Sequence, residues 1–155
     1  MRTSEERLYV AYGSNLNLAQ MKRRCPTAEV VGKAMLSNWQ LWFRGGSHSA
    51  VATIERKQDS KVPVLIWKLR PKDEQALDQY EGFPFLYHKE RLRVTVNGRR
   101  VYAMAYIMNK SGRPYGSPSP YYLDTIREGY EGAEFDGNIL MEAVRRSRRQ
   151  THEGY

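Results

Sequence analysis

Three observations predict an α+β domain built on a mixed or antiparallel sheet, with closure into a β-barrel as the further expectation. Stretches rich in β-branched and aromatic residues recur as far as Met108, one helical segment interrupts them near mid-chain, and two more end the chain. Internal repeats and low-complexity segments are absent, and 155 residues suit a single domain, residues 1–155, large enough to bury a real core.

The first strand, Tyr9-Val10-Ala11, runs into Tyr12-Gly13-Ser14-Asn15-Leu16, a tight turn rich in hydrogen-bond donors. Asn17 then suits the N-cap of a short helix to about Arg24, which Cys25-Pro26 ends because the residue before proline disfavours helical geometry. Ala28 to Phe43 reads as two strands or one bent strand, with Gly32 as a bulge or bend and Ser37-Asn38 as a turn or kink. Ala50 to Glu55 and Val62 to Leu69 read as an antiparallel pair joined by the polar loop Arg56 to Lys61. Pro71 opens a helix with Ala76, Leu77 and Tyr80 on one face, and Gly82 suits its C′ position, so Glu81 falls at the helix end. Tyr87 to Val96 and Val101 to Met108 flank Asn97-Gly98, a strong hairpin signal because both central residues of a type I′ turn need positive φ. Asn109 to Pro120 is a loop of Gly, Ser and Pro, and helices around Pro120 to Tyr130 and Asp136 to Arg149 follow.

Composition narrows the function classes. Apolar residues make up 41% and charged residues 27%, with no run long enough to span a bilayer and no basic-then-apolar start, so a soluble, cytoplasmic protein without a membrane partner is expected. Cys25 is the one cysteine, and the three histidines are scattered, so neither a disulfide nor a metal is expected. His48, His88 and Cys25 read as structural or surface groups. The net charge of +8 invites a nucleic-acid reading, but its strongest cluster, Arg145, Arg146, Arg148 and Arg149, lies in a terminal helix without a nucleic-acid motif. No nucleic-acid partner is expected; attraction of acidic metabolites is the milder inference.

Two segments carry the chemistry. In the first, Gly13 allows positive φ and close approach of main chain to a ligand, Ser14 and Asn15 add side-chain hydrogen bonds, and a helix N-terminus follows, which together suit a small anion. The same residues also suit an ordinary strand-to-helix turn. A phosphate-binding P-loop and a hydrolase nucleophile elbow are excluded by the missing Lys-Ser/Thr pair and Gly-x-Ser-x-Gly pattern. In the second, Asp78-Gln79-Tyr80-Glu81-Gly82-Phe83-Pro84-Phe85, a carboxylate sits at the negative end of a helix dipole beside aromatic residues; both effects raise its pKa and suit a general base, whereas in solvent it is simply a Glu before a C-cap. Most of the eleven tyrosines read as strand-face residues with hydroxyls at the surface, Tyr87, Tyr121 and Tyr122 being nearer the candidate segments.

These segments resemble the γ-glutamylcyclotransferase family over nearly the full chain. Tyr9 to Leu16 resembles the family's substrate-binding Tyr-Gly-Ser-Asn-Leu element, and Leu77-Asp78-Gln79-Tyr80-Glu81-Gly82 the segment that holds its catalytic glutamate. Pro118-Ser119-Pro120-Tyr121-Tyr122 resembles a later loop whose tyrosine lines the pocket. The resemblance implies a small mixed β-barrel flanked by helices, Glu81 as the catalytic residue, and Tyr12, Gly13, Ser14, Asn15, Leu16, Tyr87 and Tyr122 as substrate-binding residues. It also implies the reaction. The α-amine of a γ-glutamyl group attacks its own γ-carbonyl, releasing 5-oxoproline and the attached amine, with a small-molecule γ-glutamyl substrate and no cofactor. A non-catalytic sensor of γ-glutamyl or amino-acid ligands and a pathway-specific deblocking enzyme for γ-glutamylamines remain open alternatives.

Overall fold

The computed structural model describes residues 7–153. Its strands are β1 (Arg7–Ala11), β2 (Glu29–Arg44), β3 (Val51–Leu69), β4 (Tyr87–Val96) and β5 (Arg99–Met108), and its helices α1 (Leu18–Arg24), α2 (Pro71–Glu81), α3 (Pro120–Gly132) and α4 (Gly137–Glu153). A short 3₁₀ turn, Ser14–Leu16, links β1 to α1.

The strands form one mixed sheet in the order β2-β3-β1-β5-β4. The short β1 lies at its centre, antiparallel to β3 and parallel to β5 where Tyr9 faces Met104. β4 and β5 form the expected hairpin, and Asn97 and Gly98 take φ of 52° and 75°. The sheet is open, which corrects the expectation of a closed barrel. Its edges β2 and β4 come close, with Val96 against Gly32, but no ladder joins them among the described residues: Asn97 Nδ2, in the turn after β4, donates to the carbonyl of Val31 at 3.0 Å, at the bulge between Val30 and Gly32. An irregular edge of this kind offers no evenly spaced row of donors and acceptors for a further ladder.

A second correction concerns Arg56 to Lys61. These residues belong to β3, which runs unbroken from Val51 to Leu69, so Ala50 to Glu55 and Val62 to Leu69 pair with β2 and not with each other. Trp39 faces Arg56 and Ser37 faces Lys61, so Asn38 alone opposes the excursion 57–60. Asn38 and Asp59 both take left-handed φ, 67° and 68°, and the Asp59 N–H donates to Asn38 Oδ1 at 3.1 Å. The segment is polar because this end of the two-stranded ribbon is exposed to solvent.

Burial alternates along the second half of β4 as the pleat requires, whereas β3 from Val62 to Trp67 and β5 from Ala103 to Met108 are buried on both faces, and Phe43 of β2 is almost fully buried. Leu77 of α2, Ile126 and Tyr130 of α3, and Leu140, Ala143 and Val144 of α4 complete the core, each large apolar side chain contributing about 1.5–3 kcal/mol by burial. Asp73 anchors the start of α2: it is buried, accepts from Thr27 Oγ1 at 2.7 Å and takes the Arg70 N–H at 2.9 Å. α3 presses on the 3₁₀ turn through Gly129, where an added Cβ would lie 2.7 Å from the Leu16 carbonyl carbon. Asn17, which caps α1 by accepting from the Gln20 N–H, also donates to the carbonyl of Thr125, so turn and helices form one unit.

Candidate active site

The end of β1, the start of β3, the end of α2, the start of β4, the end of β5 and the start of α3 line a cavity of about 220 Å³. Gly82, at φ 65°, ends α2 in the left-handed conformation, and its N–H returns to the carbonyls of Asp78 and Gln79. The last helical residue, Glu81, lines the cavity. No described group donates a hydrogen bond to its carboxylate, and burial pushes its pKa from an ordinary 4.5 up to about 7, with the positive charge of Arg24 pulling the other way.

The rest of the lining is aromatic. Tyr9, Tyr12, Tyr80, Tyr87, Tyr106 and Tyr122, six of the eleven tyrosines, face this space. This corrects the expectation that most tyrosines put their hydroxyls at the surface. Three of the hydroxyls are fixed on backbone: Tyr12 donates to the carbonyl of Tyr106 at 2.5 Å, Tyr87 donates to the carbonyl of Ala52 at 2.6 Å, and the Ala52 N–H donates to Tyr122 at 3.0 Å. Tyr106 donates to Asp78 Oδ1 at 2.6 Å. Burial, reinforced by the nearby Glu81, raises the pKa of Tyr12 and Tyr87, and burial also raises that of Tyr122, so all three stay neutral near pH 7.

The turn after β1 lines the same cavity as Glu81. Its internal hydrogen bonds run from Leu16 N–H to the Gly13 carbonyl at 3.0 Å and from Asn17 N–H to the Ser14 carbonyl at 3.1 Å. The N–H groups of Gly13, Ser14 and Asn15 precede these bonds and are not used by them, the arrangement that favours an anionic ligand. Glycine at position 13 serves space and not positive φ, its φ being −121°: an added Cβ would lie a tight 3.1 Å from the Ala52 Cβ and 3.6 Å from the Tyr122 hydroxyl. Ser14 Oγ shares a hydrogen bond with the Tyr80 hydroxyl at 3.0 Å, and both ends of the Asn15 amide are engaged by protein, leaving the backbone as the turn's free donor set.

The structure therefore brings Glu81, Tyr12, Gly13, Ser14, Asn15, Tyr87 and Tyr122 to one cavity. Leu16 is the exception. It is 1% exposed, packs in the core, and its N–H is committed within the turn. Tyr9, Val51, Ala52, Tyr80, Leu86 and Tyr106 also line the cavity and were missed. Tyr80 could have been found as the neighbour of Glu81, but Val51 and Ala52 carry no signal in the sequence. Cys25 is buried and its thiol is pushed up to about 11, mainly by burial, while His88 is held between Asn109 and Glu90 on β4 away from the cavity. Among the described residues no group of three His, Cys, Asp or Glu side chains could hold a metal ion, and no helix is long and apolar enough to cross a membrane.

An α+β domain with a sheltered carboxylate and a turn of unused amides in one cavity defines a small-molecule site. Comparison with known proteins gives its family. A family model described as gamma-glutamyl cyclotransferase, AIG2-like, matches residues 9–124. The gamma-glutamylcyclotransferase of Homo sapiens is 30% identical over 135 residues, covering 81% of this chain and 70% of that protein. A solved structure of a gamma-glutamyl cyclotransferase superposes with a TM-score of 0.77 at 26% identity, covering 90% of this chain and 86% of the other. YkqA from Bacillus subtilis shares the fold, with a TM-score of 0.76 at 17% identity over 90% of this chain and 55% of its own. The chain belongs to the gamma-glutamyl cyclotransferase, AIG2-like family.

Proposed function

We propose that this chain cyclises γ-glutamyl amides, releasing 5-oxoproline and the attached amine, with Glu81 as the proton-transfer residue. The observation that carries the proposal is the unpartnered Glu81 carboxylate, raised to about 7 by burial, in the same cavity as the Gly13 to Asn15 turn.

Nucleophile and electrophile belong to one molecule, so the gain comes from holding the substrate folded, with its α-amine near its own γ-carbonyl. The Gly13, Ser14 and Asn15 N–H groups suit the α-carboxylate or the oxyanion, and the tyrosine wall shapes the space around the folded substrate. Glu81 takes a proton from the α-amine as the new C–N bond forms. As the intermediate collapses, it returns that proton to the departing amine while the old C–N bond breaks.

The raised pKa decides whether this works. An α-ammonium has a pKa near 8, so removing its proton with an ordinary Glu costs roughly 5 kcal/mol, and with one near 7 about 1.4 kcal/mol. Tyr12, Tyr87 and Tyr122 shape the walls. A cavity of about 220 Å³ suits the γ-glutamyl part of a small substrate and leaves the amine to extend outward. The same proposal includes a cytoplasmic location, which the single buried cysteine supports.

The test is 5-oxoproline release from a panel of γ-glutamyl amino acids and amines by the parent chain and by Glu81→Gln. The parent is expected to turn over at least one compound and E81Q none, with unchanged circular dichroism. Ligand binding by the parent without 5-oxoproline marks a sensor and overturns the proposal.

A further inference from the structure

Arg24, the last residue of α1, has no part in the mechanism above. Its Nη1 donates to Asn15 Oδ1 at 2.5 Å, its Nη2 donates to Gln20 Oε1 at 2.9 Å, and its guanidinium carbon stands 3.6 Å from the centroid of the Tyr80 ring. A guanidinium has only donors, so the Asn15 atom that faces it must be Oδ1, and Nδ2 must point the other way. That Nδ2 donates to the Tyr9 hydroxyl at 2.8 Å.

The consequence falls on Tyr9, which is 4% exposed and lines the cavity. Its oxygen accepts from Asn15, so its own O–H is turned away from that bond, and no described residue accepts that proton. Buried hydroxyls rarely leave a donor unused. Glu81 lines the same cavity and its charge is felt at Tyr9, although no hydrogen bond joins the two. The O–H is thus a donor on the wall against which the reacting atoms would lie.

We infer that Tyr9 donates its hydroxyl proton to an anionic oxygen of the γ-glutamyl substrate, and that Arg24 is the positioning residue that holds Asn15, and through it Tyr9, in the donating orientation. The inference rests on the proposed function. The chain Arg24, Asn15, Tyr9 runs donor to acceptor in one direction and starts at a full positive charge. Each bond therefore polarises the next and makes the terminal O–H a better donor than an isolated tyrosine. Lysine cannot replace Arg24 here, because a single ammonium does not reach Asn15 and Gln20 as a planar fork while stacking on Tyr80.

The experiment measures 5-oxoproline release by the parent, Tyr9→Phe, Arg24→Met, Arg24→Lys and the Y9F/R24M double variant, with urea melts to confirm folding. Y9F is expected to lower kcat/KM about 10- to 100-fold, the range for a hydrogen bond to a charged group. A loss in kcat assigns the oxygen as the oxyanion, and a rise in KM assigns it as the α-carboxylate. R24M is expected to reproduce much of that loss in the parent and to add less than about threefold in Y9F, the non-additivity of residues acting as one unit. R24M should also move the acid limb of the pH profile upward, because the Arg24 charge holds the Glu81 carboxyl down, whereas a merely structural residue leaves the limb in place. R24K should restore the limb but not the lost turnover.

Y9F within about twofold of the parent, or fully additive losses in the double variant, overturns the inference while the proposed function stands. Should Y9F fail to fold, a folded R24M with parental turnover and an unshifted limb overturns it equally. A parent chain that releases no 5-oxoproline from any γ-glutamyl compound overturns the functional reading and this inference together.

Discussion

Replacing Glu81 with glutamine should stabilise the protein near neutral pH, a result that depends on the cavity and not on turnover. Folding raises the pKa of this carboxyl from 4.5 to about 7, so between those values the native state binds more protons than the unfolded chain. Stability from this group is therefore fully present below about pH 4.5 and is lost as pH rises toward 7. At 1.36 kcal/mol per pKa unit the loss approaches 3 kcal/mol, and because the carboxylate lines a cavity that admits water we expect about 1–3 kcal/mol. Glutamine keeps the shape without titrating. The difference in unfolding free energy between E81Q and the parent should thus widen by that amount from pH 4 to pH 7.5, or by about 3–10 °C in Tm for a chain of this size. Urea melts of both proteins at half-unit pH steps measure it, and groups common to the two cancel. Parallel curves across the range would show a carboxylate that folding does not desolvate, and the argument for Glu81 as a base would fail with it.

Three further expectations follow from the same geometry. The pH profile of kcat/KM should have an acid limb near 7, activity falling below it as Glu81 takes up a proton; a limb near 4.5 would mean an unperturbed group. Gly13→Ala places a Cβ 3.1 Å from the Ala52 Cβ beside the Tyr122 hydroxyl, and should weaken γ-glutamyl ligand binding roughly tenfold for about 1 kcal/mol of stability, read by calorimetry and urea melts; unaltered affinity would remove the turn from the site. Tyr87→Phe deletes the 2.6 Å bond to the Ala52 carbonyl and strands a buried acceptor, for an expected loss of about 1–3 kcal/mol; a change below a few tenths would show that water already serves that carbonyl.

Local chemistry made some elements legible and hid others. The Asn97-Gly98 turn and the Pro71 and Gly82 ends of α2 were readable because each depends on φ at one or two residues. The stretch Arg56 to Lys61 was not, because a polar loop and an exposed two-stranded ribbon have the same composition, and only pairing with β2, remote in sequence, tells them apart. Barrel closure likewise depends on how two edge strands meet, here through Asn97 and Val31. The turn and Glu81 stood out as motifs, but Leu16, a letter of the same motif, turns into the core. The motifs mark Tyr12, Tyr87 and Tyr122 for the cavity, but nothing in the sequence marks Tyr106, whose place there follows from how the elements close over the sheet. Arg24 read as an ordinary helix end, and only its stacking on Tyr80 and bond to Asn15 set it apart.

Two opposed influences meet at Glu81, and their balance suits the proposed chemistry. Burial in a tyrosine-lined cavity raises the carboxyl pKa and Arg24 lowers it, for a net value of about 7. A base gains proton affinity as its pKa rises, but above the working pH it loses in population what it gains in strength. At pH 7 a group with that pKa is about half ionised, while it faces an α-ammonium only about one unit more basic. Removing Arg24 would make Glu81 a stronger base that is seldom deprotonated, and opening the cavity would make it an ionised base too weak to act. The network that orients Tyr9 is thus the same one that keeps the carboxyl within reach of neutral pH. Changes along Arg24, Asn15 and Tyr9 should therefore alter the pH dependence of turnover more than they alter the stability of the fold.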